Sequence, residues 1–149
     1  MGAPQANVNK QNKRLDQKGQ LMIDHMGITV SDMEKSKVFY LQVLGAPGYV
    51  LCKNSPSAAS FGVREGHGKS ADPGGDFWIS EGPPMTPRIH IAFNAASRAD
   101  VDVFFAAGLA IGGIENGVPG LRAQYHPNYY AAFVLDPDGY NIEAVCHAN

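Results

Sequence analysis

Cysteine is scarce. Cys52 and Cys146 are the only two in 149 residues, they lie far apart, and neither belongs to a CxxC pair. That excludes a disulfide framework and a thiolate zinc site, and it fits a reducing compartment in which both thiols are buried. An excess of either charge is also lacking: 12 Lys and Arg against 14 Asp and Glu give a net charge of −2, with a pI near 6.2. Nothing in that balance attracts a nucleic acid or an anionic membrane, whereas a small neutral or anionic molecule is a compatible partner. No apolar run reaches the length of a bilayer span, and the opening MGAPQANVNKQNKRLDQKGQ lacks the apolar stretch of a secretory signal, so the protein is expected in the cytoplasm with no membrane partner. The fragment GVREGHGKS ends like a phosphate loop, but Val63 stands where the first glycine is required, which rules out that kind of nucleotide site. The glycine-rich, polar residues 64–76 read instead as a mobile loop with a solvated His67.

What the chain does have is a hydrophobic fraction of 44%, ordinary for a soluble globule and enough for one domain or two small modules sharing a core. Residues 1–20 are rich in Asn, Gln and Lys without an apolar period and are expected to form a flexible tail. Beyond them lies an internal repeat. Residues 24–49 align without a gap onto 89–114 at an offset of 65, so that His25 meets His90, Val38 meets Val103, Phe39 meets Phe104, Leu44 meets Leu109 and Gly48 meets Gly113.

Each copy opens with an extended segment, LMIDHMGITV at 21–30 and RIHIAFN at 88–94. In the second, Ile89, Ile91 and Phe93 share one face and leave His90 on the other. Capping residues follow, Ser31 or Asp32 in the first copy and Ser97 with Asp100 in the second, and predict two helices. Val38 and Leu41 with Phe39 or Tyr40, and Val101, Phe104 and Phe105, are the expected apolar stripes of these helices. Short strands then follow at GYVLC, ASFGV and DFWIS, and at AIGGI, YAAFVL and YNIEAVC. The fold class is therefore α+β: paired βαβββ modules, 21–84 and 85–149, forming curved mixed sheets with helices on the outer side and a ligand cleft on the concave side.

The repeat also relates the last strands. An offset of 65 pairs Glu143 with Trp78, while the turns DPGG (72–75) and DPDG (136–139) repeat at 64 and would pair it with Ile79; neither partner is a metal ligand. His25, His90 and Glu143 are then three donors at related positions. Two imidazoles and a carboxylate suit a divalent Fe, Mn, Ni, Co or Zn ion with coordination sites left open for a substrate. A single strand histidine is more often satisfied by nearby backbone, but symmetry-related positions in two copies raise the odds of a shared metal. The segment GLRAQYHPNYY, 120–130, concentrates Arg122, His126, Tyr129 and Tyr130 before a strand that flanks this set. Arg122 suits a carboxylate or enolate oxygen, a tyrosine a proton donor, and His126 a general base, which makes these four the candidate catalytic residues.

DHMGITVSDMEKSKVFY, RIHIAF and DPDGYNIEAV together resemble the vicinal oxygen chelate superfamily of glyoxalases, extradiol dioxygenases, fosfomycin-resistance transferases and bleomycin-resistance proteins, over about residues 21–147. The resemblance implies the paired βαβββ fold, His25, His90 and Glu143 as metal ligands, and a homodimer, in some members with modules exchanged between chains. It implies no single reaction, because one scaffold carries several chemistries. Glyoxalases place a fourth ligand on the strand that reads FWIS here, so a three-ligand lyase, isomerase or dioxygenase fits better than lactoylglutathione lyase. The span from His126 to Glu143 is similar in spacing to the extradiol dioxygenase pattern, with Phe133 at its tyrosine, and would make His126 an acid or base beside the metal. The alternative is a bleomycin-resistance-like protein that binds a small molecule or antibiotic without turnover.

Overall fold

A computed structural model describes residues 23–66, 68 and 70–149, so the expected tail at 1–20 and His67 lie outside the described residues. The first half runs β1 (Met26–Val30), α1 (Met33–Val43), β2 (Tyr49–Asn54), β3 (Ala58–Val63) and β4 (Phe77–Glu81). The second half repeats that order as β5 (His90–Asn94), α2 (Arg98–Ala110), β6 (Ile114–Leu121), β7 (Tyr130–Leu135) and β8 (Asn141–Cys146). Each half closes into a four-stranded sheet, ordered β1-β4-β3-β2 and β5-β8-β7-β6. The first and last strands of each half pair in parallel and the remaining neighbours are antiparallel. A parallel pair cannot be closed by a tight turn, and the helix and two following strands supply the long crossover. This is the expected α+β fold of paired βαβββ units.

Strand register decides between Trp78 and Ile79. Gly27 lies opposite Trp78 in the first sheet and Ala92 opposite Glu143 in the second, so both strands of each pair keep the offset of 65 and Trp78 is the counterpart of Glu143.

Both helices start at their expected caps. Asp32 accepts a hydrogen bond from the Lys35 backbone N–H, and Ser97 forms a reciprocal capping box with Asp100. The buried stripe of α1 differs from expectation. Phe39, Tyr40 and Val43 face the core with Met33 and Ser36, while Val38 and Leu41 are 45% and 43% exposed. The helical period explains this: positions 36, 39, 40 and 43 share a face that 38 and 41 do not. In α2, Val101 and Phe104 are buried as expected and Phe105 is partly so. The strand expected at AIGGI lies further on, because Ala110 ends α2, Gly112 takes a positive φ in the turn, and β6 begins at Ile114.

One core joins the two halves. Tyr40 packs against Phe39, Phe61 and Phe77, and Phe93 of β5 meets Phe77 and Tyr49 edge-on at centroid distances of 5.2 and 5.3 Å. These residues lie on the helix-bearing faces of the sheets, which leaves the opposite faces to hold the site.

Polar contacts lock the halves together at the DPDG turn. Buried Asp136 accepts from the Tyr40 hydroxyl of α1 at 2.7 Å and from the backbone N–H groups of Asp138 and Tyr140 at 2.9 and 2.8 Å. Burial pushes its carboxyl above the ordinary range, against the lowering effect of these donors. Ser31 bonds Asp138, and the Tyr140 hydroxyl donates to the Thr29 carbonyl while accepting from Met85 N–H. Replacing Asp136 by Ala strands three donors, so Asp136→Ala is expected to destabilise the fold by roughly 3 kcal/mol or more. Tyr40→Phe should cost about 1–2 kcal/mol, and equilibrium denaturation compares the two. An Asp136→Ala loss no greater than that of Tyr40→Phe would show that the turn does not depend on its carboxylate.

Candidate functional site

Period two along β8 turns Ile142 and Ala144 toward α2 and Glu143 toward the open face of the second sheet, beside Ala92 on β5 and Phe133 on β7. His90, two residues before Ala92, emerges on the same face. Its Nε2 lies 2.7 Å from Glu143 Oε2, with half of the His90 side chain exposed and only 1% of that of Glu143. The other carboxylate oxygen accepts the Tyr129 hydroxyl at 2.6 Å. A carboxylate buried on a sheet face needs compensation, and here it comes from an imidazole and a phenol.

Tyr129 reaches Glu143 from the loop between β6 and β7. That loop is closed at its base by Arg122 N–H to Tyr129 O and internally by Tyr125 N–H to Arg122 O and Tyr129 N–H to His126 O. Burial, and then the hydrogen bond to Glu143, push the Tyr129 phenol up to about 12, so it is a firm proton donor at neutral pH. The Arg122 guanidinium lies 5.6 Å over the ring of Phe133, which stands 6.0 Å from His90. One of its nitrogens donates to Val118 O. A cation therefore borders the His90–Glu143 pair, held on an aromatic face.

Two sequence candidates stand elsewhere. Tyr130 has the opposite strand parity to Phe133, so it turns to the helix side, donates to Asp102 of α2 at 2.8 Å and lies under Arg98; the structure does not bring it to Glu143. His25 precedes β1 in the first half, where it is exposed and its Nδ1 pairs with Asp24 at 2.8 Å. Among the described residues, no three His, Cys, Asp or Glu side chains converge on one point within the chain.

His126 does reach the neighbourhood of the site, with its ring 5.4 Å from Tyr129 and its Nε2 2.9 Å from Nδ1 of His147. Sequence reasoning missed His147. Alternation through Glu143 and Val145 carries the same face to position 147, and that is the signal that would have found it.

The first sheet presents a different open face. Trp78 and Ser60 lie side by side on it, and the loop from Ser70 to Gly75 folds over them through Ser60 hydroxyl to Gly74 O and Trp78 Nε1 to Gly75 O bonds. A Cβ on Gly62 would sit 2.7 Å from Gly75 Cα, so the approach of loop to strand requires glycine there. A cavity of about 200 Å³ lies beside this loop, lined in part by Cys52, Arg64, Ser70 and Asp72.

The molecule is thus a duplicated βαβββ protein with a histidine–carboxylate pair on the open face of its second sheet. The chain belongs to the glyoxalase/bleomycin resistance protein/dioxygenase superfamily, whose family model matches residues 22–144. It is similar to a glyoxalase/bleomycin resistance protein from Albidiferax ferrireducens, with 30% identity and a TM-score of 0.68 over 86% of this chain and all of that one. A putative glyoxalase from Bacillus halodurans shows 27% identity and a TM-score of 0.60 over 85% of this chain and 96% of that one. The fold also matches FosX, a fosfomycin resistance protein from Listeria monocytogenes solved with Mn(II) and dihydroxypropylphosphonic acid, at 20% identity and a TM-score of 0.62 over 88% and 93% of the two chains. Comparison with curated proteins gave no match.

The Tyr129 arrangement is open to direct titration. Spectrophotometric pH titration of the wild type minus Tyr129→Phe should isolate one phenol ionising near 12, because the raised value preserves the protonated form until the pH passes it. A difference curve centred at the ordinary tyrosine value of about 10 would place Tyr129 away from Glu143.

Proposed function

We propose that the chain is a metal-dependent enzyme acting on a small oxygenated molecule, as a lyase, isomerase or extradiol-type dioxygenase, through one divalent ion held by His90, Glu143 and His25. The supporting observation is the fully buried Glu143 bonded to half-exposed His90 on an open sheet face. Their nitrogen and oxygen lie 2.7 Å apart. Two donors bound to one ion at about 2.0–2.2 Å stand about 3 Å from each other, so a small opening of this pair admits the ion in place of the shared proton. The donor set suits Fe, Mn, Ni, Co or Zn.

His25 lies in the other half of the chain, away from this pair, so a second copy supplies it in our reading. The open faces left by the shared core are the surfaces that such a cytoplasmic homodimer would bring together. The ion, when bound, would draw two neighbouring oxygens of a substrate together and stabilise negative charge developing on them.

The chain's own groups do the rest. Tyr129 donates its hydroxyl proton to Glu143 Oε1 and orients the carboxylate, leaving Oε2 on the His90 side for the ion. Arg122, anchored over Phe133, offers its free N–H groups to an anionic oxygen of the substrate. His126 stands beside Tyr129 at the rim, with its Nε2 turned to His147.

A second reading is a bleomycin-resistance-like protein that binds a small molecule without turnover. It draws on the same geometry, since both Glu143 oxygens already have protein donors and the carboxylate is satisfied without an ion.

Metal analysis of stripped protein reloaded with Fe(II), Mn(II), Ni(II), Co(II) or Zn(II) separates the readings. The enzyme reading expects about one ion per chain, lost in His90→Ala and in Glu143→Gln with the fold intact. No specific binding leaves the binder. Mixing His25→Ala chains with Glu143→Gln chains should restore ions to about a quarter of the sites if the ligands come from two copies, since half the dimers are mixed and each has one complete site. A site formed within one chain stays empty in the mixture.

A further inference from the structure

His126 and His147 form a hydrogen-bonded pair whose direction is fixed by its surroundings. The Asn128 backbone N–H donates to His126 Nδ1 at 3.2 Å, so that nitrogen carries a lone pair and the proton of a neutral His126 ring resides on Nε2. Nε2 faces His147 Nδ1 at 2.9 Å, which must then accept, leaving the His147 proton on its own Nε2. The rings also pack, with centroids 5.0 Å apart and each within 5.4 Å of the Tyr129 ring, His126 at 5.4 Å and His147 at 5.3 Å.

This tautomer argues against a metal between the two rings. An ion on His126 Nε2 would move the proton to Nδ1 and set it against the Asn128 N–H.

The pair has a mechanical role instead. His126 sits near the tip of the loop 122–129, whose backbone bonds close the loop on itself and on the base of β6 and β7. Two side-chain bonds among the described residues reach from it to β8 and its extension: Tyr129 to Glu143, and His126 to His147. His147 follows β8 directly, on the same side as Glu143 by strand parity.

We propose that His147 is a positioning residue. By accepting the Nε2 proton of His126 it holds the loop 122–129 down along β8, and so keeps the Tyr129 hydroxyl on Glu143. The role concerns how the candidate site is assembled in the protein itself and stands whether or not an ion binds there. It also assigns the parts differently from the sequence: both nitrogens of His126 are engaged, and the ring nitrogen left with a free N–H belongs to His147.

Nuclear magnetic resonance of the intact, metal-free chain tests this without reference to activity. A through-hydrogen-bond coupling between His126 Nε2 and His147 Nδ1 is expected in the wild type, with both rings protonated at Nε2. The Tyr129 hydroxyl proton, slowed in exchange by its buried acceptor and identified by its loss in Tyr129→Phe, should be visible in the wild type and absent in His147→Ala. His147→Asn, whose amide oxygen can take the place of Nδ1 as acceptor, should restore it. Absence of the coupling, or a Tyr129 hydroxyl signal that survives in correctly folded His147→Ala, would overturn the proposal. Circular dichroism reports whether each variant folds. Should His147→Ala unfold, folded His147→Asn decides alone: retention of the hydroxyl signal supports the role and its loss refutes it.

Discussion

Asp136 is the constraint on which the rest of the molecule depends. Its carboxylate, buried at the turn into β8, gathers the Tyr40 hydroxyl from α1 and two backbone donors from its own turn. One side chain thereby fixes how the first helix sits against the second half and where β8 begins. Because β8 is paired on both sides, with β5 and with β7, its starting point sets the face on which every later residue emerges. A slip of one residue would send Glu143 into the helix side and Ile142 onto the open face. The turn is therefore a register device, and the chemistry of the open face follows from it.

Glu143 illustrates how a duplicated scaffold is adapted at single positions. The first half has Trp78 at the same register, with an indole held by a loop carbonyl where the second half has a carboxylate held by a phenol and an imidazole. In both halves a loop folds over the open face, yet the two coverings differ in kind. Backbone carbonyls and glycines cover the first sheet, and aromatic rings with an arginine cover the second. The repeat conserves the framework of strands while the covering loops, which pack outside the common core, diverge.

Much of this was legible in the sequence. The gapless repeat gave the two halves and the pairing of Phe39 with Phe104, both buried. Strand alternation put His90 opposite Ile91 and Phe93, and the caps at Asp32 and Ser97 were visible as residue types. The illegible parts depend on three-dimensional neighbours. Four successive apolar residues, Val38 to Leu41, do not reveal which pair turns inward until the second half is packed against them. Tyr129 and Tyr130 are adjacent in sequence, and only pairing of β7 with β8 shows that one meets Glu143 and the other Asp102. His147 escaped because it follows the strand, where alternation carries less weight than inside it. His25 and His90 stand in different halves, and their partners, Asp24 and Glu143, differ in kind although the repeat aligns the two histidines.

Trp78, at the register position that Glu143 holds in the second half, also bears on charge balance. Two carboxylates and two imidazoles around a divalent ion would form a neutral assembly, with nothing left to attract an anion. With Trp78 in one of those positions, the proposed set of His25, His90 and Glu143 would offer one carboxylate, and a divalent ion held by it would keep a net positive charge. Arg122 adds a second cation nearby. Such a centre would discriminate by valence before shape: a ligand arriving as a monoanion or dianion would complete the neutralisation, whereas an uncharged diol with the same outline would leave it incomplete.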